Sequence, residues 1–86
     1  MITLYSKHLC PYCVQAKNLL ESKGIAFVEV RIDEDDEAKE FVVSQGHRTV
    51  PQIYQDGKLL VEGGYTGLAA QSAEWWGTLR DNHVTQ

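Results

Sequence analysis

The sequence predicts an α/β domain in which a mixed four-stranded sheet packs against three helices, in the order βαβαββα. Two strand-like segments are separated by an amphipathic helical segment, which predicts a parallel pair of strands joined by a right-handed crossover. Two later strand-like segments flank Asp56 and Gly57, a dipeptide typical of two-residue hairpin turns. This hairpin adds an antiparallel pair, so the predicted sheet is mixed.

The first strand leads almost directly into the first helix. Residues 2–6 form a short apolar segment that favours extended structure. Pro11 suits the first position of a helix, because its missing N–H would have no partner there, and Cys10 is then the N-cap. We expect the helix to end near Ser22, since Gly24 can adopt the left-handed conformation that follows a helix.

The middle of the chain alternates between strand-like and helix-like patterns. Residues 26–32 alternate apolar and polar side chains, which predicts the second strand. Residues 33–45 have acidic side chains in the first turn and are followed by a glycine, which predicts the second helix. Residues 50–55 and 58–61 are the two strands of the hairpin.

The last predicted helix follows a break at Gly63 and Gly64, and Thr66 is its expected cap. The residues that share its packing side on a helical wheel are Leu68, Ser72, Trp75, Trp76 and Leu79. Residues 81–86 are polar and are expected to form a tail. We therefore expect a single domain over residues 1–86.

The composition excludes several classes of protein. The 86 residues are 43% hydrophobic and 23% charged, as in an ordinary globular domain with a modest core. A net charge of −4 argues against nucleic acid as a partner, and the apolar runs are too short to cross a membrane. The sequence lacks a basic segment followed by an apolar stretch, the pattern of a secretory signal, so we expect a cytoplasmic protein.

Both cysteines of the chain lie in the segment Cys10-Pro11-Tyr12-Cys13. A disulfide between them would close too short a loop to add much stability, so the pair needs a chemical or a metal-binding explanation. At the N-cap, Cys10 can receive backbone N–H groups that stabilise a thiolate. Cys13 lies one helical turn further along, where it can attack a mixed disulfide formed at Cys10.

Positive charge near the first helix strengthens this interpretation. Lys7, His8 and Lys17 are close in sequence to the cysteines, and residues 1–20 contain no Asp or Glu. Such surroundings lower the pKa of a cysteine from about 8.5 to between roughly 3.5 and 7.5. The pattern therefore predicts thiol–disulfide exchange.

A metal site is the alternative explanation, because Cys-x-x-Cys also occurs in zinc sites. Such a site needs two further ligands, and the only histidines are His8, His47 and His83. His8 is too close along the chain to complete a tetrahedron easily, and there is no second cysteine pair. We expect no metal, and a metal or iron–sulfur binding module remains the competing class.

Three segments together resemble a dithiol glutaredoxin of the Cys-Pro-Tyr-Cys type. They are YSKHLCPYCVQAK at 5–17, RTVPQIY at 48–54 and GGYT at 63–66. They follow the family's order, at nearly its spacing, over almost the whole chain. The resemblance implies a thioredoxin-like fold and an enzyme that reduces protein disulfides and glutathione mixed disulfides. Glutathione would be its reducing co-substrate, with no tightly bound cofactor.

The resemblance also implies roles for individual residues. Cys10 would be the nucleophile and Cys13 the resolving thiol. Pro51 would be the family's cis-proline, beside a Val50 backbone that pairs with the cysteinyl unit of glutathione. The implied glutathione-binding residues are Lys7, Tyr12, Arg48, Thr49, Val50, Pro51, Gly64, Tyr65 and Thr66. Without the resemblance, the start of a plain strand would explain Pro51, and a surface position would explain Arg48.

The sequence departs from the family pattern at two points. Gly67 stands where the family usually has an aspartate, and the connection between Pro51 and Gly63 is slightly longer, which predicts an extended or bulged segment at 60–62. Gly67 favours an alternative, a glutaredoxin-like electron donor that a thioredoxin-type reductase reduces. By resemblance, the partners are glutathione and disulfide-containing proteins, with ribonucleotide reductase as a candidate. We expect a monomer.

Overall fold

The computed structural model describes residues 1–84 of the chain. Its four strands are β1 (Ile2–Ser6), β2 (Phe27–Arg31), β3 (Gln52–Gln55) and β4 (Lys58–Leu59). Its four helices are α1 (Pro11–Ser22), α2 (Asp36–Ser44), α3 (Gly64–Ala69) and α4 (Ala73–Val84). The predicted α/β fold with a mixed four-stranded sheet is confirmed, and the helix count differs by one.

The sheet has the strand order β2-β1-β3-β4. β1 pairs with β2 in parallel, and Ile2 lies opposite Phe27. On its other side β1 pairs antiparallel with β3, so that Leu4 lies opposite Ile53. The hairpin turn at 56–57 joins β3 to β4 as predicted. The central position of β1 brings the start of α1 beside the loop that precedes β3.

The predicted last helix is two helices, which corrects the helix count. α3 ends at Ala69, and the Ser72 hydroxyl accepts a hydrogen bond from the Trp75 amide at 3.1 Å at the start of α4. Ser72 is thus an exposed residue at a helix start and does not belong to the packing side. Because serine at such a position satisfies an unpaired helical N–H, it favours a new helix over continuation of the old one.

Two further expectations about this region are wrong. The N-cap of α3 is Gly63 with φ 87, whereas Thr66 lies inside the helix and its hydroxyl donates to the Gly63 carbonyl oxygen at 2.8 Å. The backbone of 81–84 continues α4 instead of forming a polar tail. Residues 85–86 of the predicted tail lie outside the described residues.

The core lies between the sheet and the helices. Its buried side chains include Leu4, Leu20, Ile53, Leu68, Trp76 and Leu79. Of the predicted tryptophan pair, Trp76 is buried and Trp75 packs against the core from a partly buried position. In the part of the chain that the structure describes, no helix is long and apolar enough to cross a membrane.

Candidate active site

The two cysteines lie at the start of α1, as the sequence predicts. Cys10 is the N-cap, and the Cys13 amide donates a hydrogen bond to the Cys10 Sγ at 3.2 Å. The two sulfur atoms form a disulfide. Cys10 is 8% exposed and Cys13 is 2% exposed, so an incoming substrate reaches Cys10 first. In the reduced protein the same amide would stabilise a Cys10 thiolate.

The loop before β3 lies against the cysteine pair. The Val50–Pro51 peptide bond is cis, as the resemblance implies, and the Val50 carbonyl oxygen lies 3.8 Å from the Cys10 Sγ. Gly64 approaches the same loop with φ 58, and a Cβ on it would lie 2.6 Å from the Pro51 carbonyl oxygen. Only glycine combines that conformation with so close an approach.

A cavity of about 860 Å³, here called the first groove, runs between this loop, the start of α3 and Tyr12 of α1. Eight of the nine residues predicted to bind glutathione line it: Tyr12, Arg48, Thr49, Val50, Pro51, Gly64, Tyr65 and Thr66. Lys7 does not line it; it lines a neighbouring cavity with both cysteines, and a smaller one with Arg48, Thr49 and Val50. The structure therefore brings most of the set together, and their role as glutathione ligands stays a prediction.

Further residues of the first groove were not predicted as binding residues: Gln45, Gly46, His47, Gln52, Leu59, Glu62 and Gly63. Glu62 places a carboxylate in a groove that also contains the guanidinium of Arg48. A sequence signal for these residues existed, because 45–47 directly precede the predicted segment and Glu62 directly precedes the two glycines. Residues that directly precede a predicted binding segment therefore line the same groove as that segment.

Two tyrosines link α1 and α3 across the first groove. The rings of Tyr12 and Tyr65 are stacked, with centroids 6.2 Å apart and an interplanar angle of 27°. Tyr12 is 58% exposed, so much of its ring faces solvent beside Cys10. The pair offers an aromatic surface to a ligand that reaches the sulfur.

At the α2 end of the first groove, His47 is held by a buried tyrosine. Its Nε2 lies 2.7 Å from the Tyr54 hydroxyl oxygen. The Tyr54 ring packs edge-on against Phe41 and Tyr5, with centroids 5.2 and 5.7 Å away. Burial raises the pKa of Tyr54. The hydroxyl therefore keeps its proton at neutral pH and holds the imidazole in place.

The neighbouring cavity, here called the second groove, has a volume of about 540 Å³. Its lining residues are Lys7, His8, Leu9, Cys10, Pro11, Cys13, Val14, Lys17, Glu29 and Arg31. It shares no lining residue with the first groove, and the two adjoin where Tyr12 follows Pro11 in α1. Both cysteines therefore line the second groove, and the first groove comes close to them at Tyr12 and Val50.

The positive charge expected from Lys17 is compensated within the second groove. The Lys17 ammonium lies 3.3 Å from the Glu29 carboxylate. Glu29 also accepts a hydrogen bond of 2.6 Å from the hydroxyl of fully buried Ser6. The Ser6 hydrogen bond, with a smaller effect of Lys17, lowers the pKa of Glu29. Of the three positively charged groups expected near the cysteines, Lys17 is therefore paired with a carboxylate on β2.

Gly67 does not leave an empty position at the start of α3. A Cβ on Gly67 would collide with the Glu62 carbonyl oxygen, and the Val61 side chain is also in contact. The segment at 60–62 forms no strand beyond Leu59 and folds back against α3. The two departures from the family pattern are thus coupled, since the connection occupies the space that a side chain at 67 would need.

The described residues contain no group of three or more histidine, cysteine, aspartate or glutamate side chains that could hold a metal ion. Within residues 1–84, no histidine, aspartate or glutamate side chain therefore joins the two cysteines in such a group. The chemistry that the site can perform without a metal is disulfide exchange.

Known proteins match the chain in sequence. A family model described as Glutaredoxin matches residues 2–60. Glutaredoxin 3 of Escherichia coli K12 is 43% identical over 58 residues, which cover 66% of this chain and 70% of that protein. A probable glutaredoxin of Synechocystis is 44% identical over 55 residues, which cover 62% of this chain. The chain spans 50% of the length of that relative.

Solved structures match the fold. Wheat glutaredoxin superposes with a TM-score of 0.75 at 28% identity, covering 93% of this chain and 79% of that chain. The glutaredoxin-like protein NrdH-redoxin of Escherichia coli superposes with a TM-score of 0.67 at 28% identity, covering 84% of this chain and 96% of that chain. Since the family model covers more than half of the sequence and the cysteine pair lies at a helix start in the same fold, this chain belongs to the glutaredoxin family of thiol–disulfide oxidoreductases.

Proposed function

We propose that this chain is a glutathione-dependent oxidoreductase that reduces protein disulfides and glutathione mixed disulfides through Cys10 and Cys13. The observation that carries the proposal is the position of the disulfide at the edge of the first groove, where the Val50 carbonyl oxygen lies 3.8 Å from the Cys10 Sγ. A peptide bound along that groove would have its sulfur beside Cys10.

The thiols of Cys10 and Cys13 supply both electrons needed to reduce one substrate disulfide. The Cys10 thiolate bonds to one sulfur of the substrate disulfide, whose S–S bond breaks, and the other sulfur leaves with the electron pair and takes a proton. The Cys13 thiolate then attacks the Cys10 sulfur, which releases the second substrate thiol and forms the Cys10–Cys13 disulfide. Two glutathione molecules supply the two electrons that restore the dithiol, and they leave as glutathione disulfide.

The charges and backbone of the first groove suit an extended zwitterionic peptide. Glutathione carries two carboxylates and one ammonium, and the groove offers the guanidinium of Arg48 and the carboxylate of Glu62. β3 pairs with β1 only from Gln52 onward, which leaves the Val50 backbone groups outside that ladder. Backbone groups of this kind bind extended peptides by adding a strand.

The same proposal extends to the setting in which the protein acts. The match to Glutaredoxin 3 of Escherichia coli supports a bacterial glutaredoxin. The proposal includes action as a monomer in the cytoplasm. Disulfide-containing proteins are its proposed partners, with ribonucleotide reductase as one candidate. The single domain over residues 1–86 is part of this proposal.

A second candidate function is that of an electron donor that a thioredoxin-type reductase reduces. Its support is the blocked position at Gly67, where the Glu62 carbonyl oxygen leaves no room for the aspartate that the family usually has there. The similarity to NrdH-redoxin, a glutaredoxin-like protein with a thioredoxin-like activity profile, points the same way.

The decisive experiment compares the two electron sources on one substrate. Turnover of the mixed disulfide of glutathione and 2-mercaptoethanol is followed with glutathione and glutathione reductase, or with thioredoxin reductase, as the source of electrons. The proposal expects turnover with glutathione and little with thioredoxin reductase. The reverse result would establish the second candidate, and a Cys10→Ser variant provides the background rate in both assays.

A further inference from the structure

Three side chains connect β1 to the second groove through hydrogen bonds. The hydroxyl of Ser6, which is fully buried on β1, donates to the Glu29 carboxylate of β2 at 2.6 Å. The same carboxylate lies 3.3 Å from the Lys17 ammonium of α1. Glu29 and Lys17 line the second groove together with Cys10 and Cys13. An ion pair that is anchored by a buried hydroxyl therefore lies in the cavity that both cysteines line.

The ion pair lies close to Cys13. Lys17 follows Cys13 by four residues in α1, and side chains with this spacing are neighbours on one face of a helix, with Cβ atoms about 5–6 Å apart. Cys13 is 2% exposed, so solvent screens its sulfur poorly from nearby charges. The ammonium of Lys17 alone would stabilise a Cys13 thiolate, whereas the paired Glu29 carboxylate opposes this effect.

The other charged groups of the second groove are basic. Lys7 and His8 come from the loop before α1, and Arg31 on β2 is paired with Asp33 and Glu34 at 3.3 and 3.2 Å. Among the described residues that line this groove, Glu29 supplies the one carboxylate.

Glu29 acts on the cysteines as a fixed negative charge. Its pKa is lowered, chiefly by the Ser6 hydroxyl, so the carboxylate is ionised throughout the pH range in which thiols titrate. A carboxylate of this kind is a poor acceptor for the proton of a thiol. Its effect on Cys13 is therefore electrostatic and depends on the charge of Lys17 beside it.

One step of disulfide exchange depends on the ionisation of Cys13. Reduced protein and glutathione disulfide form a mixed disulfide between Cys10 and glutathione, and one glutathione leaves as a thiol. The Cys13 thiol then loses its proton to water and its sulfur bonds to the Cys10 Sγ. The bond between Cys10 and glutathione breaks, and the second glutathione leaves with the electron pair and takes up a proton. Since only the thiolate attacks, the charges around Cys13 affect the rate of this step.

We propose that Glu29 is a positioning residue that holds Lys17 and compensates its charge, and that the pair thereby slows the attack of Cys13 on the mixed disulfide at Cys10. The inference rests on the proposed function, because it concerns the step in which a glutathione adduct at Cys10 is resolved. A slower Cys13 leaves the adduct available to a second glutathione. The ion pair therefore sets how the adduct is divided between resolution by glutathione and resolution by Cys13.

Variants that remove one charge at a time test the proposal. Glu29→Gln keeps an oxygen acceptor for Ser6 and leaves the Lys17 ammonium uncompensated. The Cys13 thiolate population should rise about tenfold near pH 7, and its nucleophilicity should fall by about threefold, so the attack becomes about threefold faster. Lys17→Gln leaves the carboxylate uncompensated and should slow the attack by about threefold. The double variant should have nearly the wild-type rate, because the net charge of the groove is restored.

The attack of Cys13 is measured after reduced protein is mixed with glutathione disulfide between about pH 6 and pH 9. Quenching in acid and mass spectrometry follow the formation and decay of the adduct. The pH of half-maximal decay should be lower for Glu29→Gln and higher for Lys17→Gln. Glu40→Gln is the matched control, because it changes the net charge equally but lies on α2 and lines neither groove. Its rates should equal those of the wild type.

The ultraviolet absorbance of the Cys13 thiolate, titrated in a Cys10→Ser background with each combination of charges, gives the same comparison without glutathione. Two single variants that shift this titration in the same direction, or leave it unchanged, would overturn the proposal. A double variant that does not return to the wild-type titration would also overturn it, since a purely structural effect does not cancel. Failure of the wild type to form a glutathione adduct at Cys10 would instead refute the proposed function, and the absorbance titration would still decide the role of Glu29.

Discussion

At the scale of single residues, the sulfurs of the two cysteines have different surroundings. The Cys10 Sγ accepts a hydrogen bond from the Cys13 amide, and Cys10 is the more exposed of the two. Cys13 is almost fully buried in the first turn of α1. An amide that donates to a sulfur stabilises the thiolate form of that sulfur. The backbone at the helix start therefore favours a thiolate at Cys10 over one at Cys13.

We predict that reduced Cys10 is alkylated before Cys13 at about pH 6, because a thiolate stabilised at a helix start persists below the ordinary thiol pKa of about 8.5. Peptide mapping by mass spectrometry after a short exposure to iodoacetamide measures which sulfur carries the label. A Cys13→Ser variant serves as the control, since its labelling rate should match that of the wild type. Faster labelling of Cys13 would reverse the assigned roles.

A second prediction at this scale concerns Glu29. Its pKa is lowered chiefly by the Ser6 hydroxyl and further by Lys17, so ionised Glu29 stabilises the folded state. This stability is present above the ordinary pKa of a glutamate and is lost as the pH falls through the lowered value. Glu29→Gln should cost about 1 kcal/mol of unfolding free energy at neutral pH and little near pH 3.

Urea unfolding of the wild type and Glu29→Gln at both pH values measures this difference. Glu40→Gln is the control, because Glu40 is exposed in the middle of α2 and has no ion pair among the described side chains. A cost for Glu29→Gln that is the same at both pH values would show that the charge of Glu29 is not what stabilises the fold.

At the scale of elements, the start of α3 and the connection after β4 form one unit. The Glu62 carbonyl oxygen occupies the position of a Cβ on Gly67, and the Pro51 carbonyl oxygen limits Gly64 in the same way. Where the first groove meets the start of α3, its shape is therefore set by these contacts between backbone segments. A side chain added at Gly67 would move this backbone before it could contact a ligand.

We predict that Gly67→Asp lowers the unfolding free energy by about 2 kcal/mol and raises the KM for glutathione, since the collision with Glu62 displaces one side of the first groove. An acidic side chain in an open position would instead lower this KM, so the direction of the change tests the packing. Thermal unfolding and titration of glutathione in the turnover assay provide both measurements.

Gly77→Ala is the matched control for this element. A Cβ on Gly77 meets nothing within 4 Å, and the residue lies inside α4. Alanine there should stabilise the protein by about 1 kcal/mol without changing KM, because alanine is the better helix former. A Gly67→Asp variant as stable as the wild type would show that the backbone at 60–62 can move aside at little cost in free energy, which would contradict the prediction.

At the scale of the whole molecule, two grooves meet near the cysteine pair. The first groove combines the loop before β3, the start of α3 and Tyr12, and the second combines α1 with the ends of β1 and β2. The central position of β1 in the sheet brings both surfaces to the same edge.

We predict that Cys13→Ser retains at least half of the turnover of the small glutathione mixed disulfide, because a second glutathione can resolve the adduct at Cys10. The same variant should lose most activity on protein disulfides, which depend on the second thiol of the protein. Insulin reduction and turnover of the 2-mercaptoethanol disulfide are the paired measurements. Cys10→Ser should lose both, and an inactive Cys13→Ser in the small-disulfide assay would contradict a route that uses one thiol.

The local elements of this protein follow from short-range patterns in its sequence. Pro11 after an N-cap cysteine, Gly24 at the helix end and the Asp56-Gly57 turn each act over a few residues, and α1 and the hairpin lie where these signals predict. The cysteine pair is recognisable for the same reason, since both its sulfurs lie within one helical turn. Local backbone preferences are sufficient to place such features.

Contacts between distant residues decided the rest. The sequence does not reveal that Ser72 starts a new helix, that Glu29 on β2 holds Lys17 on α1, or that the Glu62 backbone closes the space at Gly67. Nor does it reveal that Lys7 lines a cavity with both cysteines and a smaller one with Arg48, Thr49 and Val50. The chain's own patterns determine the sheet, the first two helices and the reactive pair. Only the tertiary structure decides which side chains share a groove, because that depends on how closely segments far apart in sequence can approach each other.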